Sequence, residues 1–458
     1  MTQPREAGDR IAGTPVPPTG PQGHRLFGSL REYNTDPLAF VTDVSRQYGD
    51  VVPLRLGPVK AVLLSDAAAI ESVLVTQNRT FRKARGVRRL RSLLGNGIVI
   101  NEGEPWLHQR RLMQPAFHRA SVARYADTMV RRTTRALDRW RDGQTLNITS
   151  ELRRLTLEIA AETLFGADVS ADDVRLVGES LEVAGAQLQT RVSSILMFLP
   201  GWVPTPGNRR MHAAIARLDQ LVYRLIEGRR RSPGERDDLL ALLLDESDRD
   251  GAGMSDRQLR DEVITLLVAG HETTALTLTW AFYLLARHPQ ADARLAQELA
   301  SVLDRRQPIL QDLTRLPFTE HVISETLRLY PAGYLTAREA LRDVEVDGYR
   351  IRKGTLVLIS QWARHRDPRV FEDADRFRPQ RWADGLAKRL PRGDYFPFGM
   401  GPRQCIGASF AMLESVLVLA AVRQRFRLAP TFDDEALPVP VLTLQPDRPI
   451  LLALSAVP

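Results

Sequence analysis

Apolar positions along the 458-residue chain recur mainly at helical spacing. Between 118 and 246 this period predicts helices over 119–140, 151–166, 171–190, 209–230 and 237–246. A longer helix is expected from Ser255, a residue type suited to an N-cap, to His288. Shorter ones are expected over Pro37–Tyr48, closed by Gly49, over Ala67–Val75 and over Pro317–Tyr330. Ile406–Val422 reads as an apolar helix with one charge, Glu414. Period-two alternation is scarcer: Val51–Leu56 and Ala61–Leu64 across a Gly-Pro turn, 336–359, and 425–458. The chain is therefore expected to be mainly α with a minor β region. Residues 79–100, basic and then apolar with glycines, read as a mobile loop able to line a pocket. The run Ile195–Leu199 with Trp202 is apolar for a connection, and reads equally as a flap over an access channel or as packed core. Residues 1–28, polar and rich in Pro and Gly, are expected to be a flexible leader, with one domain over 29–458.

Composition narrows the class. Apolar and charged residues, at 43% and 26%, are ordinary for a soluble globular protein. One cysteine excludes an intramolecular disulfide and any multi-thiolate zinc or iron–sulfur centre. A reducing compartment is the resulting expectation; residues 1–28 hold no apolar core of signal-peptide length, which suggests a cytoplasmic setting, and the excess of arginine over lysine suggests a bacterium. The net charge of +8 rests on arginine, since lysine occurs only at 60, 83, 353 and 388. Such an excess suits nucleic acid, an anionic membrane or an acidic protein. The arginines are interspersed with acids, which disfavours nucleic acid. No uncharged run is long enough to span a bilayer; the nearest candidate, 192–208, is broken by Pro200, Pro204 and Pro206.

Candidate chemistry concentrates on Cys405. Gly and Pro crowd the chain before the thiol and the apolar helix follows it. The sulfur then sits at a helix N-terminus, where unpaired N–H groups and the dipole favour an anion. A cysteine so placed is expected to be a thiolate, hence a nucleophile or a metal ligand; a structural cysteine at a helix start is the plainer alternative. Gly401 and Gly407 would let the backbone turn sharply and something flat approach closely. No neighbouring His base supports a cysteine hydrolase. Trp106 and Arg110, four apart, share a helix face that suits a carboxylate, or stack on one another at the surface. Within the long helix, Gly270, Thr273 and Thr274 are expected to interrupt and bend it. Glu272 beside Thr273 reads as a proton-delivery pair or as a satisfied polar patch. Glu325 and Arg328 lie among apolar neighbours, which suggests a buried pair in need of a further partner.

The spacing Phe398, Gly401, Arg403, Cys405, Gly407 resembles the haem-binding loop of the cytochrome P450 family. Four further stretches resemble that family in its order: Trp106–Arg110, Ala269–Thr273, Glu325–Arg328 and Pro379–Trp382. The resemblance implies the cytochrome P450 fold, with haem b held by the Cys405 thiolate and O2 as co-substrate. It implies propionate contacts from Trp106, Arg110, Arg338 and Arg403, in a loop shaped by Phe398 and Gly407. Glu272 and Thr273 would relay protons, and Glu325, Arg328 and Arg381 would form a structural network. Leu94, Val268, Ala269, Gly333 and Leu335 are expected to border the substrate. The implied reaction inserts one oxygen atom into a C–H or C=C bond of a hydrophobic molecule: a terpene, a fatty acid or a polyketide-like compound. No flavin or dinucleotide motif follows the haem loop, so electrons would come from an acidic ferredoxin or flavodoxin with its reductase. A peroxide-using or non-oxygenase member of the fold, or a haem carrier or sensor, would need no acid–alcohol pair.

Overall fold

The computed structural model describes residues 19–88, 90–193, 203–231, 238–247 and 254–457. The apolar connection at Ile195–Leu199 with Trp202, and the first eighteen residues of the expected leader, lie outside them. The rest of that leader is not detached: His24 bridges Gly28, and Gly28 bridges Leu56.

Eleven helices frame the site: α1 (Pro37–Tyr48), α2 (Gly103–Met113), α3 (Ala126–Leu137), α4 (Ile148–Phe165), α5 (Ala171–Ser193), α6 (Pro206–Arg231), α7 (Leu239–Ser247), α8 (Asp256–Arg287), α9 (Pro289–Leu303), α10 (Pro317–Leu329) and α11 (Ala408–Arg425). Their ends follow local chemistry. Asp36 accepts the Leu38 and Ala39 N–H groups at the start of α1, where Pro37 has no N–H to satisfy. Ser255 accepts from Gln258 N–H at the start of α8. Gly166 ends α4 in the left-handed conformation. The expected helix over 119–140 is divided, a short turn at Arg119–Arg124 preceding α3. Ala67–Val75 likewise begins as α-helix and continues as a π turn over Ser72–Thr76.

α8 runs through the protein with most of its side chains buried, packed on α4, α6, α10 and α11. Contrary to the expected interruption, it is continuous. The hydroxyls of Thr273, Thr274 and Thr277 bond to carbonyls four residues back and leave the helical ladder intact.

The β region is one five-stranded sheet with smaller ribbons. Its order is β1 (Val51–Leu56), β2 (Val59–Leu64), β8 (Leu356–Ile359), β5 (Thr336–Ala340), β3 (Phe81–Lys83). β6 (Val344–Val346) pairs β7 (Tyr349–Ile351), and β10 (Pro438–Pro440) pairs β11 (Leu444–Pro446). β12 (Leu451–Ala456) lies between β4 (Thr145–Asn147) and β9 (Phe426–Pro430).

The stretch 79–100 is tied down rather than loose. It contains β3 and two short helical turns, Arg85–Arg88 and Arg91–Leu94. Asp261 accepts the Asn96 N–H at 2.7 Å and Glu262 accepts the Ile98 N–H at 3.0 Å. Lys83 Nζ caps the carbonyls of Ile98, Val99 and Asn101. Two glycines make this contact possible, since a Cβ on Gly95 or Gly97 would fall 2.0 Å from Asp261 or Thr265.

Candidate active site at the Cys405 loop

The loop before α11 is built by backbone geometry. Gly401 has φ +72°, and a Cβ there would fall 2.2 Å from the Leu74 carbonyl oxygen. Cys405 N–H donates to Phe398 O at 2.9 Å. Gly407 has an ordinary φ of −86°, so its value lies in openness: a Cβ would stand 4.0 Å from Sγ. Protein atoms crowd around Sγ, yet it opens into a cavity of about 450 Å³.

Burial pushes the Cys405 thiol upward, while the Gly407 N–H and the Arg110 guanidinium pull it down. The helix start does not by itself make the thiolate expected from the sequence; a cation at Sγ must complete it. Among the described residues no three His, Cys, Asp or Glu side chains gather as a metal site. A metal ion on Sγ would therefore bring its remaining ligands with it, as a macrocycle does.

The cavity wall fits such a group. Lys83, Arg110, Arg338 and Arg403 all line it. β3 pairs with β5 so that Lys83 lies opposite Arg338, two cations in neighbouring positions. Burial, reinforced by Arg403 and Arg338, brings Lys83 down to about 7 despite Glu102. Burial likewise brings Arg403 down to about 10 and lowers Arg110 and Arg338. This excess of poorly neutralised positive charge suits bound carboxylates. Trp106 lines the same wall, but its indole stacks beneath Arg403, 3.6 Å from ring centre to guanidinium, and not on Arg110. Arg110 Nη1 donates to Gln404 O at 2.9 Å. Arg403 is steered by Asn101 O and by the Glu102 carboxylate.

One face of α8 forms the opposite wall: Leu266, Ala269, Gly270, Thr273, Thr274 and Thr277, at helical spacing. Val87, Ile98, Val99, Gly333 and Leu335 extend it. Two expected wall residues do not reach the cavity. Val268 is one position round the helix from Ala269, hence about 100° away, and packs in the core. Leu94 is also core, its carbonyl accepting from Gly97 N–H and Thr265 Oγ1.

The same helical rotation separates Glu272 from Thr273. Thr273 faces the cavity, its hydroxyl 2.9 Å from Ala269 O. The Glu272 carboxylate faces α4, paired with Arg153 at 2.7 and 3.0 Å and approached by Gln445 at 3.3 Å. The two side chains do not touch.

Glu325, Arg328 and Arg381 do come together, away from the cavity. Arg328 donates to Glu325 through Nε and Nη2 at 2.9 Å each, and Arg381 Nε donates to Glu325 at 2.9 Å. Trp382 Nε1 and Arg378 N–H complete the carboxylate, each at 2.9 Å. Arg328 also donates to the carbonyls of His365, Ala374 and Arg376.

Lys83, Glu102 and Arg153 are the site residues that sequence reasoning missed. Lys83 carried one faint signal, as one of four lysines in an arginine-rich chain.

The cytochrome P450 family model matches residues 18–453, and the chain belongs to that family. It is a cytochrome P450 monooxygenase by its relatives. Cyclooctat-9-en-7-ol 5-monooxygenase of Streptomyces melanosporofaciens is 37% identical over 90% of this chain and 89% of its own. Cyclooctatin synthase of the same organism is 38% identical over 93% and 92%. Pentalenene oxygenase of Streptomyces avermitilis is 35% identical over 96% and 97%. Membership of the family carries with it a haem-thiolate iron and the use of O2. Among the described residues no helix is long and apolar enough to cross a membrane.

Proposed function

We propose that this protein binds haem b through Cys405 Sγ and oxygenates a cyclic, terpene-like hydrocarbon or its mono-alcohol. The observation that carries this reading is the Cys405 sulfur opening into a cavity with cations on one wall and, on the other, a helix face of Leu266, Ala269, Gly270 and three threonines. The relatives' names point to the same substrate chemistry, an alkene in one and an alkenol in another.

When bound, the haem supplies activation of dioxygen for insertion into a C–H or C=C bond. The chain supplies position, charge and protons. Lys83, Arg110, Arg338 and Arg403 hold the haem carboxylates, and Trp106 braces Arg403 by stacking. Thr273 Oγ1 offers a hydroxyl at the cavity wall. Glu272 is held by Arg153 on the far side of α8, so it can serve as the acid behind that hydroxyl only after release from this pair. Val87, Ile98, Val99, Leu266 and Leu335 exclude water and hold the substrate by shape. Electrons come from an acidic ferredoxin or flavodoxin with its reductase, drawn to the exposed arginines 119 and 124 on the turn that packs against α11, the helix after the Cys405 loop.

Product formed per electron pair consumed tests the assignment. Pentalenene should shift the haem spin state and yield an oxygenated product with a reconstituted ferredoxin system. Thr273→Ala should bind haem and hydrocarbon as well as before, but release hydrogen peroxide in place of most of that product. Unchanged coupling in Thr273→Ala removes the relay. Absence of any spectral response to cyclic hydrocarbons removes the substrate class.

A further inference from the structure

A second cleft, of about 810 Å³, lies on the other side of α10, between the end of α8 and the segment 372–380. Arg366 lies in its wall and is itself 8% exposed. A buried guanidinium normally finds acceptors for most of its five N–H groups. Here Nη1 is buried without one, and the nearest carboxylate among the described residues, exposed Asp375, is 3.8 Å from Nε. What holds Arg366 is aromatic: its guanidinium lies 3.3 Å from the Trp362 ring centre and 5.5 Å from that of Tyr330.

Formal charge in the cleft wall is even, Arg287, Arg366, Arg376 and Arg378 against Glu372, Asp373, Asp375 and Glu435, so the excess is local to buried Arg366. Glu325 already serves Arg328 and Arg381, and Arg366 adds a third guanidinium to the same neighbourhood. Burial, with Arg328 beside it, pulls Arg366 down to about 9. The acids at the cleft mouth offer little relief. Glu372 and Asp373 are paired with Arg378, and Glu435 lies beside Arg287. Arg376, exposed at the same mouth, makes no ion pair among the described residues.

We propose that this cleft binds a small oxyanion, a phosphate or a carboxylate group, on the guanidinium edge of Arg366. A guanidinium pinned flat on an indole has its fork of N–H groups oriented in advance, which suits two-point contact with such an oxyanion. Arg376 adds a second cation at the entrance. The site is separate from the haem cavity and does not depend on the substrate reading above.

Holoprotein titrated with inorganic phosphate at constant ionic strength is the test, read by the thermal unfolding midpoint. Occupancy of the folded state raises that midpoint in a saturable way, whereas sodium chloride should not. Arg366→Gln should abolish the response. Arg366→Lys keeps the charge but not the fork, and should weaken apparent binding by about tenfold. If Arg366→Gln does not fold, Arg366→Lys carries the test alone. Acetate in place of phosphate separates the two sources: a saturable response to acetate alone assigns a carboxylate, and to phosphate alone a phosphate group. A midpoint that follows neither anion, or a response equal in wild type and the Arg366 variants, overturns the site and leaves the cleft to water.

Discussion

Two clusters of basic side chains in this protein use the same residue types to opposite ends. Around Glu325, Arg328 is wholly buried and the Arg381 side chain nearly so, and their N–H groups end on the carboxylate or on the carbonyls of His365, Glu372, Asp373, Ala374 and Arg376. Around Cys405, Lys83, Arg110, Arg338 and Arg403 face a cavity with Glu102 as the neighbouring carboxylate. Burying charge is costly unless geometry and hydrogen bonds return the loss. The first cluster meets that condition within the chain, and so fixes the path of the segment from 365 to 382. The second meets it only in part: Lys83 ends on three carbonyls and Arg403 on Asn101 O and Glu102, and the charge left over falls to a bound group. How completely a charged cluster is satisfied internally therefore separates scaffold from site.

The largest effect should come from opening the first cluster. Glu325→Ala leaves buried guanidinia without their carboxylate, a loss on the order of 3–5 kcal/mol. Little folded holoprotein should be recovered; normal yield and haem content would abolish the distinction. A smaller effect is expected in the second cluster. Arg338→Ala should leave the haem-free fold intact but weaken haem retention by about 1.5–3 kcal/mol for a lost charged hydrogen bond. Haem transfer to apomyoglobin measures this. A variant that unfolds, or that keeps haem as tightly as wild type, would count against the cavity cluster as the binding element.

The last effect is one of pH. In the haem-free protein Lys83 sits near 7, against about 10.5 in an unfolded chain. Between those values the unfolded chain holds more protons on this residue, so folding stability rises with pH across the window. Lys83→Met should remove that rise. Haem carboxylates, by restoring the ammonium charge, should remove it as well. Urea midpoints of wild type and variant, with and without haem, give the comparison. An equal pH slope in all four would mean that Lys83 does not sense the site.

Much of this was readable beforehand because it depends on near neighbours. The Cys405 loop, the Glu325–Arg328 pair and the period of α8 each lie within a few turns of chain. What escaped depends on distant pairing or on rotational phase. β3 is three residues long and is defined by β5, far along the chain, so Lys83 read as part of a loose basic loop. Arg153 meets Glu272 only because α4 lies along α8. Val268 and Ala269 are adjacent in sequence and both apolar, so pattern alone could not say which faces the cavity. Gly401 and Gly407 looked equivalent, but only Gly401 uses the positive φ that glycine permits.

The five-stranded sheet has a consequence for how the molecule comes into being. β2 lies parallel to β8, Ala61 beside Leu356, so β1 and β2 wait for a partner made 356 − 61 = 295 residues later. The helices from α2 to α10 emerge in between and can pack on one another while β1 and β2 have only each other. Pairings so distant in the chain close late. The closure of β3 on β5 also brings Lys83 against Arg338. A ribosome-bound chain stopped before residue 336 would hold the long helix but not the cation pair, and Cys405 would still be unmade. Haem held through Cys405 would have to wait until the chain has been made beyond that residue, by which point the β3–β5 wall can form.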